Sequence, residues 1–534
     1  MPAPAGTPPE VARAANDWPL PDHDYSNSRA TTTSRINKAN VSQLRVAWRQ
    51  APQGLGQLTT SPLVLGDTVY FEDGNGVVFA INRTTGDVRW KSEATGFNIG
   101  PFGVAVGDGR VYAVRGSDGV LALDARTGAK VWEHTLTPNK TTGIDIQPQL
   151  FNGQVLVATV PVSIGGIYIG GDHGVISALD AGTGEVNWSF DTVDSADLWG
   201  NPAVNSGGGA WYPLAVDTAR GVAYAGIANP APFPGAAKFP NGSSRPGPNL
   251  YTDSIVALDL VTGKLRWYQQ VTPHDIFDRD QVHAMIARLP DGKDVVVSAG
   301  KSGVVLGVEP DSGKVLWRTP VGQHENDDLT ALTGATIVAP GTYGGVLTPP
   351  ATANGVVYLP VVNSPVTLRP DETAYFGADV TKGEGEIDAV DARTGAVKWT
   401  RTLPGNPLGG ATVVNDLVFT ALVDGTVLAL DRENGKVVWQ YDAGGGVNGW
   451  MSVAGDTIVI PVGNGKPPAV LALSLPGSCP AVAVDTSTRR ARSNVRSSGD
   501  PGRLPGRTWA RRRASTPAYW TGASKSMARA RSRG

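Results

Sequence analysis

The 534-residue sequence contains a single cysteine, Cys479. One cysteine excludes an internal disulfide, a zinc site built from several thiolates and a haem attached through a C-x-x-C-H motif. No run of about 18 apolar residues occurs, so the sequence predicts no membrane span. The opening residues, MPAPAGTPPEVARAAN, lack the apolar centre of a secretory signal, and we expect no intact signal peptide in this sequence.

Positive charge is scarce outside the C-terminal tail. The residues from Arg489 onward hold 12 Arg, one Lys and one acid, which leaves a net charge of −14 for residues 1–488. The body therefore has no basic stripe, and we expect no nucleic-acid partner. We predict a disordered N-terminus over residues 1–15 and a disordered Arg-rich tail over 477–534, where core-forming residues are few. The alternatives for the tail are a functional basic arm and an artefactual, out-of-frame end.

One segment recurs seven times. Each copy has a Trp four residues after a Gly, and an Asp, Asn or Glu eight residues before that Trp. The seven Trp are Trp90, Trp132, Trp188, Trp267, Trp317, Trp399 and Trp439. Fixed spacing in seven copies indicates an internal repeat rather than chance.

Each copy is predicted to form a β-hairpin. The apolar run before the acid has the composition of a strand. The acid can accept N–H groups of the following turn, and the Gly supplies the positive φ that the turn needs. The chain then returns as a second strand, and burial of its Trp against a neighbouring unit contributes on the order of 2–3 kcal/mol.

The repeats predict an all-β fold, an eight-bladed β-propeller over residues 16–476. A further strand signal precedes most copies, as in DTVYFE (67–72), so each unit holds about four strands. An eighth Trp, Trp48, ends the strand signal VSQLRVAW, whereas its matching inner strands lie in 455–475. We therefore expect strands from both ends of the chain to complete the last blade, because closure removes exposed sheet edges.

A polar loop interrupts this regular pattern. The stretch WYQQVTPHDIFDRD (267–280) places His274, Asp275, Asp278 and Asp280 within seven residues. Carboxylates so close together repel one another unless a cation or a reaction uses them. The alternative is a polar surface loop with an Asp-rich turn.

The chain resembles the quinoprotein alcohol dehydrogenases, eight-bladed propellers that use pyrroloquinoline quinone (PQQ). Besides the repeats, the resemblance rests on the opening segment 17–48 and on GGGAWYPLAVD (207–217), GIANPAPFPG (226–235) and TPHDIFDRD (272–280). It covers nearly all of 16–476. It implies oxidation of a primary or secondary alcohol, with Ca²⁺ or a lanthanide polarising the quinone that accepts hydride. It also implies an external electron acceptor such as a cytochrome c, and a periplasmic or extracellular location.

The resemblance also assigns roles to individual residues. Trp211 matches the Trp on which the quinone lies, and Lys301 and Asn363 match residues that contact the cofactor. The alternatives are core packing for Trp211 and a solvated surface lysine for Lys301.

The remaining assignments concern the metal and the base. Asn229 matches a metal-ligating Asn, and Asp278 matches both the catalytic base and a neighbour of the metal. Asp280 stands where lanthanide-using members carry an additional Asp, and we count it as a metal ligand. A turn before Pro is the alternative for Asn229, and an ordinary surface acid is the alternative for Asp278.

Three departures from the family pattern oppose these assignments. The stretch GFNIGPFGVAV (96–106) lacks the adjacent cysteines of the family and has Phe102 where Arg is expected. The position of the usual metal-binding Glu matches Ile169, and Asp172 is the nearby acid that a shifted alignment would offer.

The sequence therefore supports two functions. One is a PQQ-dependent alcohol dehydrogenase acting on a small or polymeric alcohol, such as one similar to polyvinyl alcohol. The other is a cofactor-free propeller that serves as a binding or assembly scaffold.

Overall fold

Eight four-stranded antiparallel sheets form the blades of a β-propeller in the computed structural model. The structure describes residues 3–98, 100–137, 142–161, 163–164, 167–168, 170–373 and 379–477. Cys479, Ile169 and the tail from residue 478 onward lie outside the described residues. The prediction of an all-β, eight-bladed propeller is confirmed.

Blades 1–4 follow the chain, each from its innermost to its outermost strand. Blade 1 consists of Leu63–Leu65, Thr68–Glu72, Val78–Asn82 and Val88–Lys91. Blade 2 consists of Val104–Gly107, Arg110–Arg115, Gly119–Asp124 and Lys130–Thr135. Blade 3 consists of Gln149–Phe151, Gln154–Pro161, Val175–Asp180 and Val186–Asp191. Blade 4 consists of Ala215–Asp217, Val222–Gly226, Ser254–Asp259 and Leu265–Gln270.

Blades 5–8 repeat this order. Blade 5 consists of His283–Arg288, Asp294–Ala299, Val304–Val308 and Val315–Pro320. Blade 6 consists of Ala351–Ala353, Val356–Asn363, Glu384–Asp391 and Val397–Leu403. Blade 7 consists of Thr412–Val414, Leu417–Ala421, Thr426–Asp431 and Val437–Asp442. Blade 8 consists of Ser452–Ala454, Thr457–Val462, Ala469–Ser474 and, as its outermost strand, Arg45–Gln50.

A few short elements decorate the blades. Two-residue and three-residue strands are Ala30–Thr31, Thr142–Ile144, Ser163–Ile164, Ile167–Tyr168, Ser206–Gly207, Pro230–Ala231, Thr336–Val338 and Val366–Leu368. The helical elements are the α-helix Pro9–Arg13 and the 3₁₀-helices Val41–Gln43 and Pro240–Gly242. The described part of the chain contains no helix with the length and apolarity that a membrane crossing requires.

Blade 8 joins the two ends of the propeller. Its outermost strand, Arg45–Gln50, pairs antiparallel with Ala469–Ser474, and Trp48 lies opposite Ala472. The predicted closure by N- and C-terminal strands is confirmed.

The repeated hairpins are built as their sequence predicts. In blade 2, for example, Asp124 Oδ1 accepts the backbone N–H of Arg126 and of Thr127. For seven of the eight repeat Trp, the indole N–H donates to a carbonyl of the next blade. These donor–acceptor pairs are Trp48–Arg83, Trp90–Ala125, Trp132–Ala181, Trp188–Leu260, Trp267–Pro310, Trp317–Ala392 and Trp399–Arg432, at 2.8–3.2 Å. Each Trp thus fixes the position of one blade against the next.

Two kinds of connection lie on one face of the propeller, which we call the upper face: those between the second and third strands of a blade, and those between successive blades. In each antiparallel blade the second strand connects to the third at the face where the fourth strand leaves for the next blade. The repeated hairpins, which connect the third strand of each blade to the fourth, lie at the opposite face, which we call the lower face. Chain insertions in the upper connections are therefore brought around one central opening.

Residues 3–15 of the N-terminal stretch for which we predicted disorder are among the described residues. The helix Pro9–Arg13 packs beside the innermost strand of blade 2 with Val11 buried. The chain then runs past the innermost strands of blades 4–7. The N–H donors and carbonyl acceptors are Val216–Tyr25, Ile286–Ser26, Thr352–Ser28 and Val413–Arg29, at 2.7–2.9 Å.

Candidate active site

Five of the predicted site residues lie in upper connections of blades 3–5. Trp211 lies between blades 3 and 4, and Asn229 lies between the second and third strands of blade 4. Asp278 and Asp280 lie between blades 4 and 5, and Lys301 lies between the second and third strands of blade 5. The topology thus brings residues that are up to 90 positions apart into one region.

Lys301 is the centre of this group. Its Nζ lies 3.0 Å from Asp278 Oδ2 and 2.6 Å from Asp280 Oδ2. The same ammonium lies 4.5 Å from the centroid of the Trp211 ring and 5.9 Å from that of Tyr343. Lys301 is 3% exposed, so these interactions act in a largely water-free environment, where they are stronger than at a surface.

Asp278 is buried with one oxygen unused. It is 1% exposed, and its Oδ1 has no hydrogen-bond partner among the described residues. Its φ of 68° places a non-glycine residue in the left-handed region, a strained conformation that is frequent at functional sites. Burial raises the pKa of Asp278 well above its ordinary value, whereas the charge of Lys301 acts in the opposite direction.

Asp280 connects Lys301 to the Asn229 loop. Its Oδ1 accepts the backbone N–H of Asn229 at 2.7 Å, and its backbone carbonyl accepts the N–H of Lys301 at 2.8 Å. The side-chain N–H of Asn229 donates to the carbonyl of Pro230. The side-chain oxygen of Asn229, Oδ1, is an oxygen atom of the kind that hard cations bind. Asp280 therefore holds together two residues that the family assigns to metal and cofactor.

The rest of the Asp-rich loop is a supporting structure. Asp275 accepts the backbone N–H groups of Phe277 and Arg279, each at 2.7 Å. The two ring nitrogens of His274 lie 3.2 Å from the carbonyl oxygens of Gly247 and Asn241. These contacts fix the backbone that leads into Asp278.

Asn363 lies at the upper end of its strand in blade 6, outside the immediate group. It is 8% exposed, and its Oδ1 accepts the backbone N–H of Gln323 at 2.9 Å. Asp172, near the expected position of the missing Glu, accepts the hydroxyl of Thr142 at 3.3 Å and the N–H of His173.

Sequence reasoning missed two carboxylates in this region, the buried Asp253 and the half-buried Asp145. Asp253, which is 0% exposed, has no hydrogen-bond partner for either oxygen within the described chain. Burial raises its pKa well above the ordinary value, and Asp275 adds to the effect. Asp145 packs directly on Gly100, where a Cβ atom would come within 1.7 Å of Asp145 Oδ1. Asp253 lies just before the repeat copy at 255–267 and Asp145 lies between two copies, but neither is a position of the repeat, so no spacing pointed to them.

A group of aromatic residues lies beside Trp211. Tyr212 is 4.2 Å from the His283 ring and 5.4 Å from the Trp450 ring, measured between centroids. The Tyr212 hydroxyl donates to the carbonyl of Leu347 at 2.7 Å. Burial lowers the pKa of His283 to about 3, so the imidazole is neutral near pH 7. Tyr212 and Trp450 belong to the buried apolar cluster against which Trp211 packs.

A surface cavity of about 650 Å³ lies beside the Asp-rich loop. Phe277 and Arg279 line it, but Asp278 and Asp280 do not. The cavity is therefore separate from the group around Lys301.

The residues present suit a flat anionic quinone and a hard cation. An aromatic face with an ammonium over it matches the chemistry of a planar anion. The buried, unpartnered Asp278 Oδ1 and the amide oxygen of Asn229 are ligand types that Ca²⁺ and lanthanide ions accept. Among the described side chains, no three from Asp, Glu, His and Cys are grouped so that they could hold a metal alone.

Two family profiles match different parts of the propeller. The profile of the glucose/ethanol/alcohol dehydrogenase β-propeller domain matches residues 137–319. The profile of the outer membrane protein assembly factor BamB matches residues 22–143 and 382–474. The five residues around Lys301 lie inside the dehydrogenase match, whereas Phe102 lies inside the assembly-factor match.

Individual relatives extend the similarity over most of the chain. The quinohemoprotein alcohol dehydrogenase of Comamonas testosteroni is 28% identical over 510 residues, which cover 81% of this chain and 70% of that protein. The structure of quinohemoprotein alcohol dehydrogenase ADHIIG from Pseudomonas putida HK5 matches with a TM-score of 0.75 at 22% identity, over 89% of this chain and 85% of that one. A europium-containing methanol dehydrogenase matches with a TM-score of 0.73 at 22% identity, over 86% and 98%. The chain is similar to the quinoprotein alcohol dehydrogenases, and the resemblance predicted from its sequence is confirmed.

Proposed function

We propose that this protein is a quinoprotein alcohol dehydrogenase that oxidises a primary or secondary alcohol and passes the electrons to an external acceptor. One observation carries the proposal: the Lys301 ammonium lies 4.5 Å from the centroid of the Trp211 ring and 3.0 Å from the Asp278 carboxylate. This arrangement joins an aromatic platform, a cation and a base. The sequence similarity to enzymes named as alcohol dehydrogenases supports the same class.

Asp278 is the residue that we assign to proton removal. Oxidation of an alcohol requires loss of the hydroxyl proton as hydride leaves the carbon, and a positioned carboxylate can accept that proton. Asp278 Oδ1 has no hydrogen-bond partner in the described structure, so it is the oxygen that can receive a substrate hydroxyl. Burial raises the pKa of this carboxylate and so makes it more basic, while the charge of Lys301 opposes the rise.

The other residues bind and orient. Trp211 would support a quinone ring by stacking, while Lys301 would contact its anionic oxygens. Asn229 and Asp278, with Asp280 close by, would hold Ca²⁺ or a lanthanide through oxygen atoms. When bound, PQQ supplies the electrophilic carbonyl that accepts hydride, and the metal ion polarises that carbonyl. We assign Asn363 to the outer part of the cofactor site.

Substrate, acceptor and location are the finer parts of the proposal. The alcohol is small or polymeric, with secondary alcohols similar to polyvinyl alcohol included. A cytochrome c is the acceptor type, and the location is periplasmic or extracellular. These assignments follow the family resemblance and not a contact in the structure.

Reconstitution tests the enzyme directly. Purified protein is mixed with PQQ and either Ca²⁺ or La³⁺, and bound cofactor is measured from the absorption spectrum after gel filtration. Reduction of an artificial dye is then measured with a panel of primary, secondary and polymeric alcohols. We expect cofactor retention and dye reduction with at least one alcohol.

The second candidate function is a cofactor-free binding or assembly scaffold. The assembly-factor profile over residues 22–143 and 382–474 and the buried Phe102 in that region favour it. Failure to retain PQQ with either metal, together with no dye reduction by any alcohol, would support the scaffold in place of the enzyme.

A further inference from the structure

We propose that Lys301 competes with a metal ion for the carboxylates of Asp278 and Asp280, so that metal binding and quinone binding strengthen each other. This inference rests on the proposed function, since it concerns the same site. It adds a role that the family resemblance does not give to Lys301. The residue is then a switch between two partners rather than only a contact to the quinone.

The geometry gives the ammonium two sets of partners. On one side Nζ lies 3.0 Å from Asp278 Oδ2 and 2.6 Å from Asp280 Oδ2. On the other side it faces the Trp211 ring at 4.5 Å and the Tyr343 ring at 5.9 Å. The ammonium can therefore shift from the carboxylates toward the aromatic side by rotation of its flexible stem.

A metal ion and the Lys301 ammonium compete for the carboxylates of Asp278 and Asp280, because both are positively charged. All three charged side chains are at most 3% exposed, so water screens their interactions only weakly. The ammonium faces the carboxylates of Asp278 and Asp280, so a divalent or trivalent cation bound to either of them would lie close to a second positive charge. Like charges at such distances in a buried site repel, so a cation that uses Asp278 must displace Lys301 or bind more weakly.

The second set of partners links the displacement to the cofactor. A planar anion supported on Trp211 offers a displaced ammonium an opposite charge, in addition to the ring face. Metal binding therefore releases the group that the quinone uses. Because binding free energies are reciprocal, the quinone must raise the metal affinity by the same factor as the metal raises the quinone affinity.

A purely structural role for Lys301 predicts the opposite result. If the ammonium only holds Asp278 and Asp280 in place, then its removal lets two buried carboxylates repel each other and disorders the loop. Metal affinity would then stay the same or fall. The affinity for metal alone, without quinone, therefore separates the two roles.

The experiment is a titration of the full chain with Tb³⁺ and with Ca²⁺ in the absence of PQQ. Binding is followed by Trp-sensitised Tb³⁺ luminescence and by calorimetry for the wild type, Lys301→Gln, Lys301→Met and Lys301→Arg. The Met variant keeps an apolar stem on the Trp211 ring, and the Arg variant keeps the positive charge. Circular dichroism melting verifies that each variant is folded.

We expect both neutral variants to bind the metal tighter than the wild type, by on the order of tenfold, the effect that one nearby charge commonly has on an ionic equilibrium. Lys301→Arg should stay close to the wild type. PQQ titrations in the presence of Ca²⁺ should show weaker quinone binding by the neutral variants.

The two levels of the proposal fail differently. If the wild type binds PQQ and metal, but the folded neutral variants bind metal no tighter than it does, the competition is overturned while the enzyme assignment stands. If the wild type binds PQQ under no condition, the proposed function itself fails. Measurable metal binding that appears only in the neutral variants would support the competition.

Discussion

Asp278 illustrates how the surroundings of a single residue set its conformation and its charge environment. Its backbone has a φ of 68°, its carboxylate is buried, and one oxygen lies beside Lys301 while the other has no partner among the described residues. An ordinary surface acid would show none of these features. The contacts of His274 and Asp275 fix the loop that imposes the conformation.

Asp278→Asn should lower alcohol turnover by roughly 10²–10⁴-fold, because the amide cannot accept the hydroxyl proton. PQQ should remain bound, since Trp211 and Lys301 are unchanged. Turnover and the spectrum of bound cofactor are measured on the same reconstituted sample. Asp87→Asn, which changes an exposed acid in the lower turn of blade 1, is the control and should leave turnover near the wild-type value. Full activity of Asp278→Asn would show that another group is the base.

At this scale the sequence predicted residues within motifs and missed residues outside them. Trp211, Asn229, Asp278 and Lys301 stand in segments that resemble a known family, and the structure brings them together. Asp253 is buried and Asp145 is half-buried in the same region, but each is a lone acid in its segment. Burial of a lone acid depends on tertiary packing, which a local pattern does not contain.

The blade hairpin is the element that the sequence describes best. The acid at the turn, the positive-φ Gly and the Trp four residues later each make a contact that follows from their chemistry. In blade 4, Gly263 has a φ of 68° and contacts Trp188 of blade 3. The Gly is thus needed for the turn and also for the close approach of the neighbouring Trp.

Gly263→Ala should be more destabilising than Gly221→Ala, by about 1–3 kcal/mol, because only the first substitution forces a side chain into a packed ring. The two glycines have nearly the same φ, 68° and 65°, and both lie in turns of blade 4. A Cβ at Gly263 would lie 2.4 Å from Trp188, whereas a Cβ at Gly221 would meet nothing within 4 Å. Urea denaturation midpoints measure the difference. Equal midpoints for the two variants would mean that the Trp contact adds little to the cost of strain.

Other elements escaped prediction because their order comes from distant partners. The helix Pro9–Arg13 has only five residues, which are too few to be stable alone. It forms because Val11 is buried beside blade 2. The antiparallel pair of Thr336–Val338 and Val366–Leu368 joins two upper connections that no repeat pattern relates. One leads from blade 5 to blade 6, and the other links the second and third strands of blade 6.

The whole molecule combines two kinds of propeller sequence on one fold. Blades 3–5 hold the group around Lys301 and match the dehydrogenase profile. The two outer strands of blade 6, together with blades 7, 8, 1 and 2, match the assembly-factor profile. The eight-blade architecture follows from the repeat, which both families share. The proposed function depends on a few upper connections of blades 3–5, which is why the repeat alone predicts the fold better than the activity.

Arg29→Ala should destabilise the whole propeller, by roughly 3–5 kcal/mol, because it leaves the buried carboxylate of Asp22 without its partner. The Arg29 side chain is 0% exposed, and its guanidinium lies 2.8 Å from Asp22 and donates to the carbonyls of Ala411 and Met451. These carbonyls precede the innermost strands of blades 7 and 8. Arg35→Ala is the control, because its ion pair with Asp456 lies at the surface with the Arg side chain 66% exposed. Thermal melting should show a large drop for the first variant and little change for the second.

The pairing of Arg45–Gln50 with Ala469–Ser474 also has a consequence during protein synthesis. On the ribosome, the N-terminal strand emerges long before its partner, and at about 5–20 residues per second it waits roughly 20–80 s for the strand it pairs with. Throughout that time the nascent chain is an incomplete ring with an uncovered strand at one end, which invites association between chains. The yield of active protein in a cell is therefore expected to depend on chaperones that act before translation ends.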